Sequence, residues 1–190
     1  IYDAHIFIFS LHSVNSIFKK FGFELINALP QTTHGGSMRY VICRKGERKI
    51  SKNLKRLLKI ELKQKLNRLS SCINFKKACY KSRNNFRKKI LNLKRDDKKI
   101  VGYAASAKSS TVLNFCKINN KQIDFIADST KEKIGKFTPG THIPVVSIKH
   151  FRKSKPDYTI LCSWNHRREI FKKEKLYLKK GGKWISHVKV

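Results

Sequence analysis

The stretch KIVGYAASAKSST, Lys99 to Thr111, decides the fold. Lys99–Tyr103 is a short apolar run with strand character. Ala104–Ser110 is a turn of small residues, and Thr111–Cys116 opens a helix. Working outward, the same alternation repeats. Ile123–Ala127 reads as a strand ending in Asp128, Ile143–Val146 as another, and Tyr158–Cys162 as a third. Arg167–Lys179 reads as a helix, and Lys183–Val188 as a last strand after Gly181-Gly182. Strands alternating with helices predict an α/β unit whose parallel strands are joined by right-handed crossovers. That unit covers residues 98–190.

Upstream the character changes. Across residues 46–97, Leu54, Leu57, Leu58, Leu62, Leu66, Leu69 and Ile73 recur every three to four residues, and Phe86, Ile90 and Leu93 continue the pattern. The segment has no Pro, and Gly46 is its one Gly. This predicts a basic helical connector with a narrow apolar seam and a possible break near Cys79–Asn84. Residues 1–45 read as the tail of a larger domain. Leu11, Val14, Ile17, Phe18 and Phe21 lie at helical spacing, with Gly22 as C-cap. Phe23–Leu29 and Met38–Cys43 read as a strand pair around a loop from Pro30 to Gly36.

The chain has 190 residues, and its 44 Lys and Arg against 12 Asp and Glu give a formal charge of +32. Residues 44–99 hold 22 of the basic residues and four acids (Glu47, Glu61, Asp96, Asp97), a net of +18. Such a charge favours polyanions through counterion release. Lys outnumbers Arg 33 to 11, however, whereas base and phosphate recognition favours the Arg fork. With twenty Ile and twelve Asn, the chain has the composition an AT-rich genome imposes, so nucleic acid is not the expected partner. The five cysteines are scattered and form no CxxC pair, which argues against a zinc ribbon or a disulfide framework and fits a reducing, cytoplasmic setting. No apolar run approaches the ~20 residues that span a bilayer, and no membrane partner is expected. A start at Ile1 rather than Met suggests a piece of a longer chain.

Four groups of residues can carry chemistry. The turn from Gly102 through Ala105, Lys108, Ser109 and Thr111 leads a strand into a helix, where backbone N–H groups and a Lys can cradle an anion. A tight strand–helix turn without ligand fits the same residues. Asp128 ends the next strand, where doubly wound folds contact a ribose or base; a helix N-cap is the plainer reading. The loop Lys136–Pro144 and the run Trp164-Asn165-His166 would reach the same carboxyl-end rim. Near the start, Tyr2 and His5 place a phenol and an imidazole three residues apart.

These residues, taken in order, resemble a known family. VGYAASAKSSTVLNFCKI (101–118), DFIADSTKEKIGKFTPGTHIPV (124–145), PDYTILCSWNHRREI (156–170) and GGKWI (181–185) resemble the C-terminal domain of S-adenosylmethionine-dependent sugar C-methyltransferases. YDAHIFIFSLHSV (2–14) and THGGSMRYVICR (33–44) look like the end of that family's methyl-donor domain.

The resemblance implies a Rossmann-like C-terminal domain that holds a nucleotide-diphosphate sugar. It implies S-adenosylmethionine as methyl donor, bound mainly by an upstream domain, and zinc in a segment before Ile1 with no metal in this chain. By match, His5 is the base that forms an enolate beside a keto group, and Tyr2 is its neighbouring phenol, with His34 a weaker second-rank candidate. The motif departs from the family at Ala4, where Glu usually stands. Gly102, Ala105, Lys108, Ser109 and Thr111 would meet the diphosphate, with Asn114, Asp128, Thr138, His142, Trp164 and Asn165 on the same rim. The chain by itself is then expected to be inactive. The alternatives are a basic RNA- or polyanion-binding module and an inactive truncated copy.

Overall fold

The computed structural model describes residues 7–33 and 36–188. The described residues divide into two compact units, one up to Ala78 and one from Cys79 onward.

The first unit is a helix, a hairpin and a second helix. Helix α1 (Leu11–Lys19) starts at Ser10, whose side chain takes the Ser13 N–H while the Ser13 hydroxyl oxygen takes the Ser10 N–H, a reciprocal cap. The Glu61 carboxylate adds to this cap by accepting the Leu11 N–H at 2.8 Å and the His12 N–H at 3.2 Å, a favourable place for a negative charge. Strands β1 (Phe23–Gln31) and β2 (Ser37–Arg44) pair antiparallel, with a bulge at Ile26. Pro30 therefore lies within a strand instead of opening a loop. A two-stranded ribbon is all edge, so its missing N–H is tolerated. Helix α2 (Lys52–Lys63) is capped by Ser51. Leu11, Val14, Leu25, Ala28 and Leu54 form the core of this unit.

The second unit is a three-layer sandwich. Helix α3 (Leu69–Arg95) enters it, followed by β3 (Ile100–Tyr103), α4 (Ala107–Cys116), β4 (Ile126–Asp128), β5 (Val145–Ser147), α5 (Ile148–Ser154), β6 (Tyr158–Leu161), α6 (Arg167–Lys173), α7 (Lys175–Lys179) and β7 (Lys183–Ile185). The five strands are all parallel, in the order β5-β4-β3-β6-β7. This is a Rossmann-like sheet. Side-chain alternation assigns its faces. Ile100, Ile126, Ile160 and Ile185 pack on one face with Phe86 and Ile90 of α3 and Leu113 and Cys116 of α4. Val101, Tyr103, Ala127 and Leu161 pack on the other with Phe151 of α5 and Ile170 of α6.

The boundaries differ from the sequence reading in physically clear ways. The connector is two helices, but the break lies at Gln64–Arg68, where Lys65 takes a left-handed conformation (φ +56°). Residues 79–84 stay helical. There Arg83 stacks over Tyr80 and Phe115 (4.6 and 5.5 Å to the ring centroids), and the buried Phe86 anchors the next turn. Helix α4 starts at Ala107 rather than Thr111, because Ser106 caps it by accepting the Ser109 N–H. The helix after β6 breaks at Glu174, which turns its carboxylate into the interior.

Candidate functional site at the strand-order reversal

Between β3 and β6 the strand order reverses direction. The chain leaving β3 goes to the face of α4, and the chain leaving β6 goes to the face of α6. The strands stay paired up to Tyr103 and Leu161, and it is the connections beyond them that diverge, framing the crevice position where open α/β sheets take ligands.

The β3–α4 turn forms one wall. Ala104 adopts φ +73°, a left-handed conformation that costs an L-residue about 1–2 kcal/mol. Its N–H donates to the Ala127 carbonyl at 2.7 Å. The Ala105 N–H donates to Asp128 Oδ2 at 2.7 Å, and the Ala105 carbonyl accepts from Lys133 Nζ at 2.8 Å. Ser106 then caps α4, so the first two N–H groups of that helix, on Ala107 and Lys108, have no acceptor within it.

Lys108 projects across the crevice. Its Nζ donates to Asn165 Oδ1 at 3.1 Å and lies 5.3 Å from the centroid of the Trp164 ring. Trp164 and Asn165 sit on the short 3₁₀ turn Trp164–His166 that follows β6. A helix N-terminus, an ammonium, a carboxamide and a half-buried indole thus meet at one point.

Of the remaining residues singled out in the sequence, Gly102, Ser109, Asn114 and Thr138 have internal partners. The Gly102 N–H donates to the Phe125 carbonyl within the sheet, and a Cβ there would lie 2.7 Å from Ile126 Cγ1, so this glycine serves strand packing. The Ser109 hydroxyl donates to the Ser106 carbonyl. Asn114 donates to the Ser110 and Pro139 carbonyls at 2.8 and 3.0 Å, tying the Pro-Gly loop to α4. Thr138 pairs with Thr141 at 2.6 Å and accepts the Ile143 N–H, closing that loop on itself. Thr111 is half-buried on α4, and His142 is exposed with φ +50°. Tyr2, His5 and His34 lie outside the described residues.

Asp128 is buried, and desolvation pushes its carboxyl up. Donation from the Thr130 and Ala105 N–H groups, with the Lys133 ammonium 3.5 Å away, more than offsets this and holds it below the usual carboxylate range. It is therefore a charged anchor for the turn. Burial raises the thiols of Cys116 and Cys162, the latter to about 12, so neither is an activated nucleophile. Among the described residues no cluster of His, Cys, Asp and Glu suits a metal ion. No helix among them is long and apolar enough to cross a membrane.

Two structural features had no sequence reading. One is Lys133, whose contact with the turn is not encoded in any local motif. The other is a buried network on the sheet face that packs against α5 and α6. There Glu174 accepts the Tyr103 hydroxyl at 2.9 Å and the Arg152 Nε and Nη2 at 3.0 and 2.9 Å. Arg152 and Glu174 border a cavity of about 380 Å³ floored by Phe151, Leu176 and Tyr177. None of the rim residues lines it.

A parallel five-stranded sheet with helices on both faces is a Rossmann-like domain, a fold in which ligands characteristically lie at the strand-order reversal. More narrowly, residues 32–188 match the family model described as C-methyltransferase C-terminal domain, and the chain belongs to that family. It is 28% identical over 186 residues to C-methyltransferase NovU of Streptomyces niveus, an alignment covering 97% of this chain and 44% of the relative. The chain thus spans less than half the length of the curated relative it matches.

Proposed function

We propose that this chain is the substrate-holding portion of an S-adenosylmethionine-dependent enzyme that methylates a carbon of a nucleotide-linked keto-deoxysugar. The observation that carries the reading is the meeting of Lys108, Asn165 and Trp164 with the N-terminus of α4 at the strand-order reversal. The Ala107 and Lys108 N–H groups and the Lys108 ammonium suit a diphosphate, the indole suits a flat or apolar ring face, and the carboxamide suits a hydroxyl. Family membership supports the methyl-transfer chemistry.

In this reading residues 98–190 form the nucleotide-sugar domain, 46–97 the connector and 1–45 the end of the methyl-donor domain. S-adenosylmethionine would sit mainly in the remainder of that donor domain, with zinc in the family's N-terminal segment, and the enzyme would work in the cytoplasm. His5 would remove a proton from the sugar carbon beside the keto group, and Tyr2 would steady the developing oxyanion. The resulting enolate would take the methyl group. Ala4 in place of the family's usual Glu leaves His5 without that neighbouring carboxylate. The chain alone would bind substrate without turning it over.

Titration calorimetry of the 190-residue chain with thymidine diphosphate and its sugar conjugates tests this. Micromolar binding that weakens about tenfold or more in Lys108→Met is expected, from loss of a charge-assisted contact. Absence of binding, or binding indifferent to Lys108, would sink the proposal. A second reading rests on α3, whose 27 residues carry nine Lys and Arg and no acid. Polyanion binding there would weaken steeply with salt.

A further inference from the structure

We propose that Lys133, which no motif or comparison assigns, is a positioning residue that holds the β3–α4 turn in its anion-accepting geometry. The inference rests on the rim being the substrate site, and it adds the device that keeps the site formed. The turn needs such a device. Ala104 is in a left-handed conformation without being glycine, and the next residue must direct α4 so that its N-terminus faces the crevice.

Two opposite charges grip the intervening peptide units. Asp128 Oδ2 takes the Ala105 N–H at 2.7 Å, and Lys133 Nζ donates to the Ala105 carbonyl at 2.8 Å. The ammonium lies 3.5 Å from the same carboxylate oxygen. Both polar groups of Ala105 are thereby fixed by one ion pair, and neither can rotate without breaking a charge-assisted hydrogen bond. Asp128 is in turn held by the Thr130 N–H at 2.8 Å. Lys133 comes from the 3₁₀ turn Lys131–Lys133 just after β4, so the clamp links the ends of β3 and β4.

A consequence follows for recognition. The Ala105 N–H and Asp128 Oδ2 are bonded to each other, so the anion must be met by Ala107, Lys108 and the side chains across the crevice. Lys133 acts through Ala105 and touches no substrate. Its loss leaves the side chains that meet the anion in place but frees the turn they depend on.

The experiment compares native chain, Lys133→Met and Lys133→Arg by amide hydrogen exchange and by calorimetry with thymidine diphosphate. Lys133→Met keeps the apolar stem and removes the charge. The expected result is faster exchange confined to the hydrogen-bonded amides of Ala104, Ala105, Ser106 and Ser109, unchanged exchange in β3 and β6, and roughly tenfold weaker binding, with both effects reversed in Lys133→Arg. Unchanged exchange at the turn in Lys133→Met would overturn the clamp whether or not the native chain binds the nucleotide. Faster exchange with binding equal to the native chain would also overturn it, reducing Lys133 to a structural contact. If the native chain binds no thymidine diphosphate, the substrate reading fails, and the exchange data alone decide the clamp.

Discussion

Replacing Glu174 with Ala should cost more stability than any surface ion pair could explain, and most of the loss should come from Tyr103. The Glu174 side chain is 3% exposed, while its Arg152 partner is 57% exposed. Once the carboxylate is gone, Arg152 turns to water and that half of the network costs only ~0.5–1 kcal/mol. The Tyr103 hydroxyl has no such escape, since its residue is 7% exposed and ringed by Phe151 and Trp184. Stranding a buried hydroxyl costs about 1–3 kcal/mol. The sum is about 3 kcal/mol. Tyr103→Phe alone should cost about 1 kcal/mol, because Arg152 still satisfies the carboxylate. The double variant should then be more stable than Glu174→Ala by about 1 kcal/mol, since it has no stranded hydroxyl. Both tryptophans, Trp164 and Trp184, lie in the C-terminal unit, so indole fluorescence in urea follows that unit selectively. A Glu174→Ala loss below 1 kcal/mol, or strictly additive losses in the double variant, would refute the stranded-hydroxyl argument.

Three further outcomes are expected. Asp128 has a lowered pKa in the folded chain, so its contribution is complete above the unfolded value of about 3.9 and disappears as pH falls through the folded value. Asp128→Asn should therefore lose ~1–2 kcal/mol at neutral pH and show a flatter acid limb in unfolding; an unchanged acid limb would contradict the assignment. Ala104→Gly should stabilise the unit by about 0.5–1 kcal/mol, since relief of the left-handed strain exceeds the entropy of a new glycine, and a fall in melting temperature would argue against it. Gly102→Ala forces a methyl to 2.7 Å from Ile126 Cγ1 and should cost roughly 1–3 kcal/mol. Combining it with Ile126→Ala should cost less than the sum, which equilibrium unfolding of all three variants would check.

What could be read from the sequence was set by short-range rules. Ile100–Tyr103 is buried on both faces of the sheet and so reads as a short apolar run, which is why it was visible as a strand. Lys108, Trp164 and Asn165 were legible because each follows directly on a strand end. The rest depended on partners remote in the chain. Residues 79–84 look like a helix break locally, yet Arg83 is stabilised by Phe115 of α4. Asp128 was legible as a strand-end carboxylate, but not the Ala105 and Thr130 N–H donors and the Lys133 ammonium around it. The left-handed turn at Ala104 gives no local signal, since the usual marker is glycine. The Tyr103–Glu174–Arg152 network joins residues from β3, the α6–α7 junction and α5.

The basic excess looks different once the acids are followed individually. Of the twelve, Glu24, Glu61, Asp128 and Asp157 each accept a backbone N–H, from Gly46, from Leu11 and His12, from Ala105 and Thr130, and from Lys99 respectively. Glu174 holds the interior network, and Asp124 and Glu169 pair with lysines on the surface. A chain that drifts toward Lys can shed exposed acids at little cost, because surface pairs contribute ~0–1 kcal/mol. It cannot shed an acid that caps a helix or anchors a turn without stranding a donor. Of the described acids, Glu47, Asp96, Asp97 and Glu132 are exposed and hold no such contact, so the +32 charge reflects the 44 Lys and Arg themselves. Any benefit to function is long-range. If Lys108 meets an anionic substrate as proposed, the net positive charge would raise that substrate's local concentration near it, and Lys108 itself has no acidic partner among the described residues. Such steering would appear as an association rate that falls with ionic strength while the Lys108→Met effect on affinity persists at high salt. An equal salt dependence of both would mean that Lys108 acts only as one more surface charge.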